Sequence, residues 1–117
     1  MKLTIATKYG PRTIRALRVG ELAVHRRVML DSKRVYGYYD NMWDITLIAN
    51  GLIVVSANTR RDAIKAARLL DGVQWDGVLE DYNANRRAVG DDVRRRLAEL
   101  MDADKIWGNK RNMELRA

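Results

Sequence analysis

The sequence predicts an α+β fold: an antiparallel β-meander sheet over about residues 2–57, covered by two C-terminal α-helices. Three observations predict it. Apolar and polar residues alternate through much of the first half, the period-two pattern of half-buried strands. Asn50-Gly51 sits between two apolar, β-branched runs, inside a stretch from Ile45 to Thr59 that carries no charge. That dipeptide suits a two-residue hairpin turn, where both turn positions need φ > 0. At Thr59 the pattern changes to helical periodicity behind a capping box, with Asp62 three residues after the Thr59 N-cap.

Each element follows in order. Leu3-Thr4-Ile5 starts a strand that Tyr9-Gly10-Pro11 turns, and Thr13 to Val19 reads as the second strand, closed by Gly20-Glu21. Leu22, Val24, Val28 and Leu30 alternate as a third strand, and Arg26 interrupts them, which marks a bulge or an edge. Asp31-Ser32 turns the chain, Val35, Tyr36, Tyr38 and Tyr39 form a short strand, and Asp40-Asn41 turns it again. The Asn50-Gly51 turn pairs Ala49 with Leu52, Leu47 with Val54 and Ile45 with Ser56, with Trp43 on the same helix-covered face. The first helix runs from about Arg60 to Asp71 before Gly72, and its core face is Ala63, Ile64, Ala66, Ala67 and Leu70. Asp76-Gly77 turns a connector anchored by Val78, Leu79 and Tyr82. The second helix runs from about Asp91 to Asp104 on a stripe of Val93, Leu97, Leu100 and Met101, with Val89 extending it. Asp91 and Asp92 then complement the dipole at its start. A single domain of residues 1–104 is expected, with a polar tail, residues 105–117, that frays.

Bulk properties narrow the function. At 117 residues the chain fits one domain, and it has no cysteine, so disulfides and thiolate metal sites are excluded. No apolar run is long enough to cross a membrane and no signal-peptide core is present, so a cytoplasmic location is expected. The one histidine, His25, falls on the strand face shared with Ala23, Arg27 and Met29, where it reads as solvated. No phosphate-cradling glycine loop or nucleophile elbow occurs. Acidic pairs occur at Glu80-Asp81, Asp91-Asp92 and Asp102/Asp104, but a metal-dependent nuclease needs two or three converging carboxylates; Asp91 and Asp92 read as helix-start residues and Asp102/Asp104 as a solvated helix end. The expectation is a protein that is not an enzyme, with no catalytic residue, metal or cofactor.

Charge points to a partner. The net charge is +7, and residues 1–40 hold nine Lys/Arg against three acids. Sixteen of the 22 basic residues are arginine, whose planar fork suits bidentate phosphate contacts. Two patches stand out. On the first helix, Arg60, Arg61, Lys65 and Arg68 have few acids to answer them, and Arg60 and Arg61 sit at the positive end of the dipole. By contrast, Asp91–Arg95 and Asp92–Arg96 give the second helix its own ion pairs. On the sheet, Arg12, Arg15, Arg18, Arg26, Arg27, Lys33 and Arg34 come from neighbouring strands, with Tyr39 as the outward ring. Cations interleaved with aromatics suit single-stranded nucleic acid. These twelve residues form the expected binding surface of a small nucleic-acid-binding accessory protein for DNA or RNA. The alternative is a phage-type modulator or inhibitor that binds a host protein, and the apolar stripe of the second helix would also allow a homodimer.

Trp43-Asp44-Ile45-Thr46, Gly51-Leu52 and Thr59-Arg60-Arg61-Asp62-Ala63, with Ala67 and Leu70, resemble small uncharacterised proteins of high-GC bacteria and their phages. The resemblance covers residues 43–70 and implies an accessory protein that acts by binding. The same segment is similar to the strand–helix end of integrase DNA-binding domains, whose sheet enters the DNA groove. The required sheet residues have no one-to-one match here.

Overall fold

The computed structural model describes residues 1–5, 11–30, 36–49, 51–76 and 82–107, and of residues 5, 28–30, 36–41 and 82–88 the backbone alone. The protein is α+β. Seven strands and two helices occur among the described residues: β1 Lys2–Ile5, β2 Arg12–Arg15, β3 Leu17–Val19, β4 Leu22–Leu30, β5 Tyr36–Leu47, β6 Ile53–Ala57, α1 Arg60–Leu69, α2 Tyr82–Asp102 and β7 Ile106–Trp107. Strands β3-β4-β5-β6-β7 form one open antiparallel sheet in that order, and β1-β2 form a separate hairpin.

The two sheet faces differ in what covers them. One face buries Leu22, Val24, Ile45, Leu47, Val55 and Ala57 against Ala63, Ala66, Ala67 and Leu70 of α1 and Val93, Leu97 and Leu100 of α2. The small alanines bring α1 close to the sheet. Its N-cap is as expected: Thr59 Oγ1 accepts from the Asp62 amide at 3.1 Å, satisfying one of the open donors of the first turn. On the other face, Leu3 and Ile14 of the hairpin pack on Ala23, with Ile48 beside them.

Several elements differ from the sequence reading. The strand expected over Thr13 to Val19 breaks at Ala16, which lets β2 leave the main sheet and pair with β1. A bulge does occur at Arg26, but it replaces a turn rather than accompanying one. Arg26 opposes Trp43 while Val28 opposes Tyr38, so the surplus residues of β5 are absorbed within a continuous strand that runs through Asp40-Asn41.

The Asn50-Gly51 loop is also longer than two residues. The Leu47 and Gly51 amides donate to Leu52 O and Leu47 O, both at 2.8 Å, so Leu47 and Leu52 close the loop, with Gly51 at φ +75°. Ile45 faces Val55 and not Ser56, because the ladder shifts by one residue between Thr46, opposite Ile53, and Ile45. A one-residue change exchanges the faces. It puts Val55 and Ala57 under the helices and turns Ser56 to the opposite side.

The second helix begins at Tyr82, so Asp91 and Asp92 lie mid-helix and pair with arginines instead of answering a helix start. Val73 and Trp75 are the buried anchors of the connector. The tail does not fray at Lys105: Ile106 opposes Ala57 in β7 and is 3% exposed. The expected turns at Tyr9-Gly10 and Asp31-Ser32, the anchors Val78 and Leu79, and residues 108–117 lie outside the described residues.

Candidate nucleic-acid interface

The helix-side face of the sheet is not covered to its end. Beyond the start of α1 it opens into a cleft of about 620 Å³ lined by Met1, Lys2, Arg15, Ala16, Leu17, Val24, Arg26, Trp43 and Arg60. Three elements build it. The β1–β2 hairpin brings Lys2 directly opposite Arg15, and pairing continues to Met1 and Ala16, where the Ala16 amide donates to Met1 O and the Met1 ammonium to Ala16 O, both at 2.9 Å. The β4–β5 pair brings Arg26 opposite Trp43, and the guanidinium lies over the indole at 5.7 Å from the ring centre. Such a cation–π contact attracts the side chain to the ring face. The first residue of α1 supplies Arg60. Lys2, Arg15, Arg26 and Arg60 are exposed, Trp43 is half-buried against the core, and no acid is among the described lining residues. The arrangement can attract and hold a polyanion: cations within a concave wall concentrate positive potential.

The opposite face carries a buried polar network. Arg27 Nε donates to both carboxylate oxygens of Asp44 at 3.2 Å, and Nη2 donates to Oδ1 at 2.8 Å. Ser56 Oγ accepts from Arg27 Nη2 at 2.7 Å and donates to Asp44 Oδ1 at 2.8 Å. Beside it, His25 Nδ1 donates to the Arg26 carbonyl at 2.9 Å, and Nε2 meets Thr46 Oγ1 at 2.8 Å. A carbonyl only accepts, so Nδ1 carries the hydrogen, and in the neutral ring Nε2 accepts the Thr46 hydroxyl. His25, Asp44, Thr46 and Ser56 are all buried. The solvated histidine expected from alternation is thus corrected. The face was right, but the network buries it.

The twelve expected contact residues do not form one surface. Arg15 and Arg26 from the sheet patch meet Arg60 from the helix patch in the cleft. Arg27 spends its guanidinium on Asp44 and Ser56 and is not available as a surface contact. Arg18 opposes Ala23, on the other sheet face from Arg26, and its Nε bonds Gly20 O at 2.9 Å. Arg12 opposes Ile5 and bonds Pro11 O at 3.3 Å. Arg61, Lys65 and Arg68 are exposed along α1 outside the cleft. The backbone of Tyr39 lies in β5, its side chain is outside the description, and Lys33 and Arg34 fall outside the described residues. Lys2 and Trp43 were missed. The strand alternation of Arg26 and Trp43 was legible, but their pairing needed the β4–β5 register.

The described arginine side chains of α2 are answered by acids on the same helix. Asp91 pairs with Arg94 at 3.2 Å, and Asp92 pairs with Arg95 and, at 3.1 Å, with Arg96. The expected Asp92–Arg96 pair is present, whereas Arg95 takes Asp92 in place of Asp91. Burial pushes the Asp92 carboxyl up, but hydrogen bonds and charge from Arg96 and Arg95 outweigh it and hold it below the usual carboxylate range. Arg96 also donates to Asp71 O, tying α2 to the end of α1.

Among the described residues no three His, Asp or Glu side chains gather as metal ligands, and no helix is long and apolar enough to cross a membrane. No family model, curated protein or solved structure matches the chain.

Proposed function

We propose that this chain is a small, non-enzymatic, cytoplasmic nucleic-acid-binding accessory protein that uses a basic surface formed by the sheet end and α1. The reading rests on the cleft, where four cationic side chains and Trp43 share one wall and, among the described residues, no acid lines it. Elsewhere the protein neutralises arginine locally, as Asp44 does for Arg27 and Asp92 for Arg96. No described residue lining the cleft is a carboxylate, and phosphate is the polyanion chemistry that suits arginine and lysine together.

The test is an electrophoretic binding assay with single- and double-stranded DNA and RNA at about 50 and 200 mM salt. Binding is expected to weaken steeply with salt. Arg15→Gln with Arg60→Gln should lower the log–log slope by roughly 0.7–0.9 for each phosphate that is no longer neutralised. Replacing Arg61, Lys65 and Arg68 by Gln reports how far the surface extends along α1. Absence of binding to every nucleic acid at the lower salt overturns the reading. The protein-directed modulator then takes its place, with Leu17, 38% exposed at the cleft, as its apolar anchor.

A further inference from the structure

We propose that the cleft receives one unstacked base of a single strand on the Arg26–Trp43 stack, with the flanking phosphates held by Lys2, Arg15 and Arg60. The inference rests on the nucleic-acid reading and narrows it to single strands recognised by stacking.

Three features lead there. First, the indole of Trp43 packs against the core and the exposed guanidinium of Arg26 lies over it, 5.7 Å from the ring centre. Bases stack on guanidinium planes as they do on aromatic rings. Second, the site is concave, and about 620 Å³ falls within the roughly 300–1,000 Å³ range of small-molecule sites. A duplex keeps its bases inside the stack and offers a cleft only its backbone, whereas a single strand can insert a base. Third, Lys2 and Arg15 are directly opposite on β1 and β2, a like-charge pair that costs stability when unrelieved. Arg60, on the first turn of α1, adds a third cation at the positive end of that helix dipole. A phosphate between these groups relieves both penalties. The apolar wall of Leu17 and Val24 lines the space between the cations and the stack.

The experiment measures fluorescence anisotropy of labelled oligothymidylate and oligouridylate, with an abasic oligonucleotide of equal length and a duplex as controls. The full chain is expected to bind at least one base-bearing strand at least about fivefold more tightly than the abasic strand. Arg26→Lys keeps the charge and removes the plane. It should abolish that preference while leaving the salt slope nearly unchanged. Arg26 is exposed, so the variant keeps the core intact, and circular dichroism checks that it does. Equal binding of base-bearing and abasic strands, or a preference that survives in Arg26→Lys, overturns stacking but leaves the nucleic-acid reading standing. Tighter binding of the duplex than of either single strand also overturns the inference alone. Failure to bind any of the four probes overturns both.

Discussion

Replacing Asp44 by Ala is expected to destabilise the fold by about 3–5 kcal/mol, the usual consequence of removing one partner from a buried ion pair. The Asp44 side chain is 3% exposed and that of Arg27 is 14% exposed, so neither charge is well solvated. The substitution removes the acceptor of three guanidinium hydrogen bonds, at 3.2, 3.2 and 2.8 Å, and of the Ser56 hydroxyl at 2.8 Å. Arg27 retains Ser56 Oγ and limited access to water, which moves the expected loss toward about 3 kcal/mol. That is a large share of the roughly 5–15 kcal/mol that holds a domain folded. Removing both charges, as Asp44→Leu with Arg27→Met, should recover most of the loss, because the desolvation penalty disappears together with the attraction. Urea denaturation of the parent, Asp44→Ala and the double variant, compared at constant m, measures it. A single-site loss under about 1 kcal/mol, the range of solvent-exposed pairs, would refute the argument from burial. So would a double variant no more stable than Asp44→Ala.

Thr46→Val keeps the shape of the side chain but leaves His25 Nε2 without its 2.8 Å partner, and should cost about 1–3 kcal/mol in the same assay. Asp92 has a lowered folded pKa, so its stabilising effect is present above its unfolded value of about 3.9 and is lost as pH falls through the folded value. Urea midpoints followed from pH 6 to 3 should therefore fall less for Asp92→Asn than for the parent protein, and parallel curves would contradict the assignment. Ile106→Ala should cost about 2–5 kcal/mol if β7 belongs to the core, as its 3% exposure indicates. A change near zero would return residues after Asp104 to the status of a tail.

Local chemistry was legible where it depended on adjacent residues. The Thr59–Asp62 capping box, the alanine face of α1, the disturbance at Arg26 and the apolar stripe of α2 each follow from spacing within one element. The antiparallel α+β class follows from the change of period at Thr59. Register was not legible, because the same apolar run can satisfy two pairings that differ by one residue. The choice between them depends on which side chains α1 and α2 cover. That choice sent Ser56 to the Asp44 side and Val55 to the core. It also explains the error at His25: alternation identified its face but not that hydrogen-bond partners on neighbouring strands would allow the imidazole to be buried.

By itself, then, the sequence determined the α+β class, the capped first helix and the excess of arginine. Only the tertiary structure decided which arginines are neutralised and which converge. Arg26 and Arg27 are neighbours in the chain, yet strand geometry sends one over Trp43 at the cleft and the other into Asp44 on the opposite face. Lys2, Arg15 and Arg60 come from separate elements and meet because the hairpin leaves the main sheet at Ala16 beside the start of α1. Electrostatic potential depends on distances in space. A charge count along the chain therefore showed that a basic surface exists, and the fold gave it a location.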